Sequence, residues 1–461
     1  MNDNKKIIRL LVLISALFLG LLTYLMYINM FKAEDISSNP YNMRQWDEAA
    51  SVNRGNFYDR NGVLLAETIK EKDGTQKRIY PEKNLYSHVI GYYSKVYGKT
   101  LLERECDNLL NGKGDITLNI SNIRNGFDVN LTIDNDLQKA AHIAMAGRKG
   151  AVIVMNPKSG EILAMVSLPD FDPNSAALEN NWNNIVENES SPLLNRAVSG
   201  LYPPGSTFKI VTAAAAFDNN MTDRIFEDVG RFTLDNLNVN NYNNESFGNI
   251  SFSDAFKFSS NQVFCTIGSE LKEERIVEYA EKFRIGKAPD FDIKSVKSRL
   301  GYKSLTDKDC ALVAIGQGKL LVTPLDMLLI CSTVANNGNM VKPYIVKTAT
   351  KENGVVVYRA IEKNLASPIS SECAEFLKEL MVETVKSGTG RNASLKNISV
   401  AGKTGTAENE KEQAHSWFVG FAPADNPEIA ISVILENDGG SGGATAAPVA
   451  KKIFEKYFLL K

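Results

Sequence analysis

Histidine is nearly absent: His88, His142 and His415 are the only three in 461 residues, they lie far apart, and no H-E-x-x-H occurs. No ligand set for a catalytic zinc is visible, so neither metal nor cofactor is expected. Cysteine is scarce too. Cys106, Cys265, Cys310, Cys331 and Cys373 show no C-x-x-C spacing, and their odd number leaves at least one thiol free. They indicate no disulfide framework, and the apolar surroundings of Cys265 and Cys331 make them read as small buried hydrophobes. An excess of either charge is also missing. The 52 Lys and Arg are interspersed with 54 Asp and Glu for a net −2, which removes the argument for a nucleic-acid partner.

One long uncharged run is present. Leu10–Ile28 is 19 residues without a charge; as a helix it spans ~28 Å, close to a hydrocarbon core of about 30 Å. Lys5, Lys6 and Arg9 precede it and no small-x-small cleavage site follows, so it reads as an uncleaved anchor with its N-terminus inside. The expected organisation is a cytoplasmic tail (1–9), an anchor (10–30), a small N-terminal pedestal (31–147) and a larger domain (148–461), both of these extracytoplasmic. A hydrophobic fraction of 44% suffices for a large core.

Within the larger domain, Ala151–Met155 and Glu161–Ser167 read as strands joined by the turn Asn156–Gly160. Helices are expected over Ser206–Asp218, near Asp254–Leu271 and over Thr323–Asn336. The asparagine-rich stretch Asn236–Asn249 reads as loop. Strands return at Ile398–Thr404, Ser416–Phe421 and Glu428–Leu435, then a helix at Ala447–Phe458. Strands at both ends with helices between predict an α+β fold: one central antiparallel sheet built from distant segments and flanked by helices.

The chemistry centres on Ser206-Thr207-Phe208-Lys209, which follows Tyr202-Pro203-Pro204-Gly205 and precedes an apolar, alanine-rich run. Spacing of i,i+3 at a helix start puts a hydroxyl and an amine on one face, the layout of a lysine-activated nucleophile. A second S-x-x-K, Ser269–Lys272, runs into Glu273-Glu274-Arg275 and reads as a solvated helix face. Ser259-Ser260-Asn261 lies 53 residues after Ser206, and Lys403-Thr404-Gly405-Thr406 begins 142 residues after Asn261. This ordered trio matches the signature of penicillin-binding proteins and class A β-lactamases. Looser copies at Ser37-Ser38-Asn39, Lys158-Ser159-Gly160 and Lys386-Ser387-Gly388 lack the context. Gly439-Gly440-Ser441-Gly442-Gly443 imitates a G-x-S-x-G elbow, but no histidine follows it to act as base, so it reads as a flexible glycine loop.

With these motifs the chain resembles the class B penicillin-binding proteins, monofunctional peptidoglycan transpeptidases, and among them the short-pedestal penicillin-binding protein A group. The resemblance covers nearly the whole chain: Arg54–Gly62, Gly91-Tyr92-Tyr93 and Tyr97–Thr100 in the pedestal, then Asn195-Arg196-Ala197, Tyr202–Lys209, Gly316-Gln317-Gly318 and Thr323-Pro324-Leu325. It implies the penicillin-binding transpeptidase fold and a D,D-transpeptidase that cross-links stem peptides through a serine acyl-enzyme, releases D-alanine and is blocked by β-lactams. It further implies Ser206 as nucleophile, Lys209 as base, Ser259 as proton shuttle, Asn261 on the substrate amide and Lys403 holding serine and carboxylate. Backbone N–H groups of Ser206 and Thr406 would form the oxyanion hole, and Thr404, Gly405 and Thr406 would bind substrate. A membrane glycosyltransferase of the SEDS family and other elongation or division proteins are the implied partners. A membrane-anchored β-lactamase, a D,D-carboxypeptidase and a non-enzymatic penicillin-binding scaffold are the alternatives.

Overall fold

The computed structural model describes residues 3–32, 52–72, 75–113, 125–409 and 412–460. The decoy Ser37-Ser38-Asn39 lies outside them. A helix over Asp3–Tyr27, continued by a π-turn Ile28–Lys32, contains the uncharged run and is long and apolar enough to cross a membrane, with mean hydropathy 2.3.

Five strands pair antiparallel in the spatial order Ala401–Ala407, His415–Ala422, Ile429–Leu435, Gly150–Met155, Ile162–Leu168. Nearly every residue in them is buried, because helices cover both faces. Alternation still sorts the side chains. Val152, Val154, Ile431 and Val433 face the helices Asn135–Met145 and Ala446–Leu459, while Ala151, Ile153, Met155 and Ile434 share a cluster with Pro324–Ala335. Pro324–Ala335 is buried along its whole length; proline at its first position and a capping box between Thr323 and Asp326 start it.

A second, six-stranded sheet runs in the order Val356–Arg359, Val346–Thr350, Asp128–Leu131, Phe57–Tyr58, Leu64–Lys70, Gln76–Ile79. Two segments therefore cross the boundary expected between residues 147 and 148. The hairpin 346–359 extends the pedestal sheet from far along the chain, and Asn135–Met145 lays Leu137, Ala141 and Met145 on the larger domain's sheet. One apolar cluster joins Phe57, Leu131, Ile345 and Ala151, so no seam separates the two regions.

Most expected elements occur within a few residues of their limits, and three differ in kind. The helix expected from Asp254 to Leu271 is two, Phe252–Lys257 and Asn261–Lys282, parted by Phe258-Ser259-Ser260. Ser259 sits at φ +62°, a left-handed conformation that turns the chain there. The Ser206–Asp218 helix opens as a 3₁₀ turn, Gly205–Phe208, and becomes α-helical at Lys209. The asparagine-rich loop contains the strand Leu237–Asn240 and the start of the strand Gly248–Ser251, because pairing with Arg231–Leu234 and Ile225–Asp228 overrides its polar composition. All five cysteines are free and buried.

Candidate active site

Ser206 stands on the 3₁₀ turn and lines a groove of about 1200 Å³. The turn is built by close backbone approach. Gly205, at φ +55°, donates its N–H to Gly316 O at 2.9 Å, and Trp417 Nε1 holds Pro203 O at 3.0 Å. Thr207 Oγ1 donates back to Pro204 O at 2.7 Å.

Lys209 opens the α-helix and is fully buried. Its Nζ donates to Ser259 O at 2.8 Å, Asn261 Oδ1 at 2.9 Å, Ser259 Oγ at 3.2 Å and Ser260 O at 3.2 Å. Among the described residues no hydrogen bond joins Lys209 Nζ to Ser206 Oγ; the amine faces the Ser259–Asn261 turn instead. Burial, and after it the charge of Lys403, push this amine well below its ordinary range. Burial alone holds Lys403 at about 7. Its Nζ lies 5.4 Å from the Phe256 ring centre and 3.4 Å from Thr404 O.

Lys403, Thr404, Gly405 and Thr406 lie on the strand at the sheet's edge, which leaves one row of backbone groups outside the ladder. Ser206, Ser259, Asn261, Thr404, Gly405 and Thr406 all line the groove. Three segments distant in sequence thus meet in one cleft.

Sequence reasoning passed over several lining residues. Ser387, Gly388 and Thr389, beside a rejected K-S-G triplet, belong to the wall, and Thr389 Oγ1 is 2.6 Å from Thr404 Oγ1. The Gly439–Gly443 segment is not a loose loop. A Cβ on Gly442 would lie 2.2 Å from Trp417 O and 2.3 Å from Gly405 O, so glycine lets this segment close against the edge strand. The other S-x-x-K lies apart, its Lys272 exposed and paired with Asp307 at 2.8 Å.

Residues 150–455 match the penicillin-binding protein transpeptidase domain family. The chain belongs to that family. Residues 54–128 match the penicillin-binding protein A dimerisation domain. The peptidoglycan D,D-transpeptidase PbpA of Mycobacterium tuberculosis is 31% identical over 490 residues, covering 98% of each chain. Its counterpart in Mycolicibacterium smegmatis is 30% identical over 482 residues, 97% of this chain and 98% of that one. Among solved structures, penicillin-binding protein A of M. tuberculosis as its penicillin G acyl-enzyme superposes with a TM-score of 0.83 at 30% identity, covering 88% of this chain and 100% of that chain.

Gly316 packs against the turn that carries Ser206. A Cβ on Gly316 would stand 2.1 Å from Gly205 O, at φ +73°. Gly316→Ala is expected to displace the turn, costing about 1–3 kcal/mol in a thermal melt and slowing labelling by fluorescent penicillin. Unchanged melting and labelling would show that the turn yields freely.

Proposed function

We propose that this protein is a membrane-anchored peptidoglycan D,D-transpeptidase working through an ester on Ser206. The supporting observation is a buried lysine, depressed in basicity, bonded to both Ser259 and Asn261 and placed one turn from Ser206 in an open groove.

In this reading neutral Lys209 takes the Ser206 hydroxyl proton as Oγ attacks the penultimate carbonyl of a stem peptide ending in D-alanyl-D-alanine. The separation of the two side chains in the free enzyme closes when substrate aligns them. Backbone N–H groups of Ser206 and Thr406 receive the developing oxyanion, at roughly 3 kcal/mol per donor. The C–N bond then breaks. Lys209 returns the proton through Ser259 Oγ to the leaving amine, and D-alanine departs. An amine of a second stem peptide attacks the ester, loses its proton to the same relay and regenerates Ser206. Asn261 binds the substrate amide, and Lys403 with the Thr404 and Thr406 hydroxyls holds the terminal carboxylate. A β-lactam forms the same ester and leaves it in place.

Lys5, Lys6 and Arg9 keep the N-terminus in the cytoplasm, which puts the groove outside the membrane. Resemblance makes a SEDS-family glycosyltransferase the partner that supplies glycan strands.

The test is full-length protein in detergent given fluorescent penicillin, followed by product analysis with stem-peptide substrates. A long-lived adduct and peptide dimers are expected. An adduct lost within seconds would mean a β-lactamase, trimmed monomers alone a carboxypeptidase, and no adduct a scaffold.

A further inference from the structure

The Ser259–Asn261 turn is held from behind by two side chains outside every motif. Asp228 ends the strand Ile225–Asp228 and is fully buried. Its carboxylate accepts Ser260 Oγ–H at 2.6 Å, Gly230 N–H at 2.7 Å and Asn241 Nδ2 at 2.9 and 3.0 Å. Asn241, also buried, turns its Oδ1 to the helix Asn261–Lys282 and accepts Asn261 N–H at 2.8 Å and Gln262 N–H at 3.0 Å. Ser260 Oγ accepts the next one, Val263 N–H, at 3.1 Å. The first three N–H groups of that helix, which have no partner inside it, therefore end on Asn241 and Ser260, and both of those end on Asp228.

The clamp has two consequences for the groove. Ser259 is a non-glycine residue at φ +62°, a conformation that persists where its surroundings over-determine it. Bonds on Ser260 and Asn261, the residues immediately after it, supply that constraint and aim Ser259 Oγ and Asn261 Oδ1 at Lys209 Nζ. The clamp also carries charge. Lys209 faces Lys403 from the edge strand, Cys265 from the helix Asn261–Lys282 and Asp228 from its own strand. Burial keeps the Cys265 thiol neutral, at about 12.

We propose that Asp228 and Asn241 are positioning residues for acyl transfer: they hold Ser259 and Asn261 on Lys209, and the Asp228 carboxylate supplies the negative charge that Lys209 faces. This rests on the acyl-serine reading of the groove. The Asp228 charge favours protonated Lys209, so its removal lets the amine become neutral at lower pH. Loss of alignment and loss of charge thus leave different marks on a pH profile.

The second-order rate of labelling by fluorescent penicillin is measured from pH 5 to 10 on full-length wild type, Asp228→Asn and Asn241→Ser, each checked by thermal melt. Asp228→Asn is expected to lower the plateau at least about tenfold and to move the acid limb to lower pH. Asn241→Ser should lower the plateau and leave the limb in place. A plateau within twofold of wild type in both variants, or an unmoved limb in Asp228→Asn, overturns the proposal. Should Asp228→Asn fail to melt cooperatively, Asn241→Ser decides, and a wild-type rate there sinks it. A wild type that takes no label overturns the acyl-serine reading itself, which separates the two failures.

Discussion

Ser206→Ala is expected to abolish covalent labelling by penicillin, and Lys209→Met to slow it by about 10²–10⁴-fold, because one removes the proposed nucleophile and the other its proposed base. Methionine keeps the length and apolar stem of Lys209, so the loss would report the amine rather than a cavity. The wild-type pH profile of labelling should be bell-shaped. Its acid limb belongs to Lys209, which burial and Lys403 push well below its ordinary value, so the amine turns neutral far below the usual lysine range. Its alkaline limb belongs to Lys403, held by burial at about 7, whose positive charge is lost as pH rises through that value. A Lys209→Met variant that labels at the wild-type rate, or that keeps the acid limb, would assign the base to another group.

The second large effect concerns stability. Glu103 is fully buried between two guanidiniums: Arg54 Nη2 lies 2.7 Å from Oε2 and Arg78 Nε 2.7 Å from Oε1, with Tyr80 OH at 3.1 Å. Burial pushes the carboxyl up, but Arg78 and Arg54 outweigh it and hold it below its ordinary value. Glu103→Ala would leave both guanidiniums in the pedestal core without this partner, at a cost of roughly 3–5 kcal/mol in denaturant unfolding. Glu103→Gln keeps an acceptor and should cost less. Since the folded-state value is depressed, the stabilisation is present above the carboxyl's ordinary pKa and is lost as pH falls through the depressed one. The pedestal should therefore weaken in acid, and Glu103→Ala should weaken least further there. A variant as stable as wild type at pH 7 would show that water reaches the pair. Glu103 lies outside the groove, so the pH limbs of labelling should not move.

Much of this was legible beforehand because local chemistry carries it. Pro203-Pro204-Gly205 ahead of an alanine-rich run can only be a chain reversal into a helix, and that puts Ser206 and Lys209 at its start. The buried strands announced themselves as apolar runs, and context, a strand end followed by a strand able to pair with it, separated the Lys403 triplet from its imitations. The break at Ser259 was not legible. Nothing in Phe258-Ser259-Ser260 demands a left-handed residue; the bonds from Asp228 and Asn241, 32 and 20 residues before the residues they hold, impose it. The glycine segment 439–443 misled for a related reason, since glycine serves flexibility and close packing equally and only the neighbouring edge strand says which.

The sequence by itself determined the membrane-length helix, the sheet built from remote strands and the three motifs, because periodicity, turn residues and spacing are properties of nearby positions. Tertiary structure decided which partner each polar group meets. It turned Lys209 toward Ser259 and Asn261, set Asp228 beneath them, placed Thr389 on Thr404 and sent the hairpin 346–359 into the pedestal. Burial and hydrogen-bond satisfaction depend on residues far apart in the chain, and no local pattern encodes them.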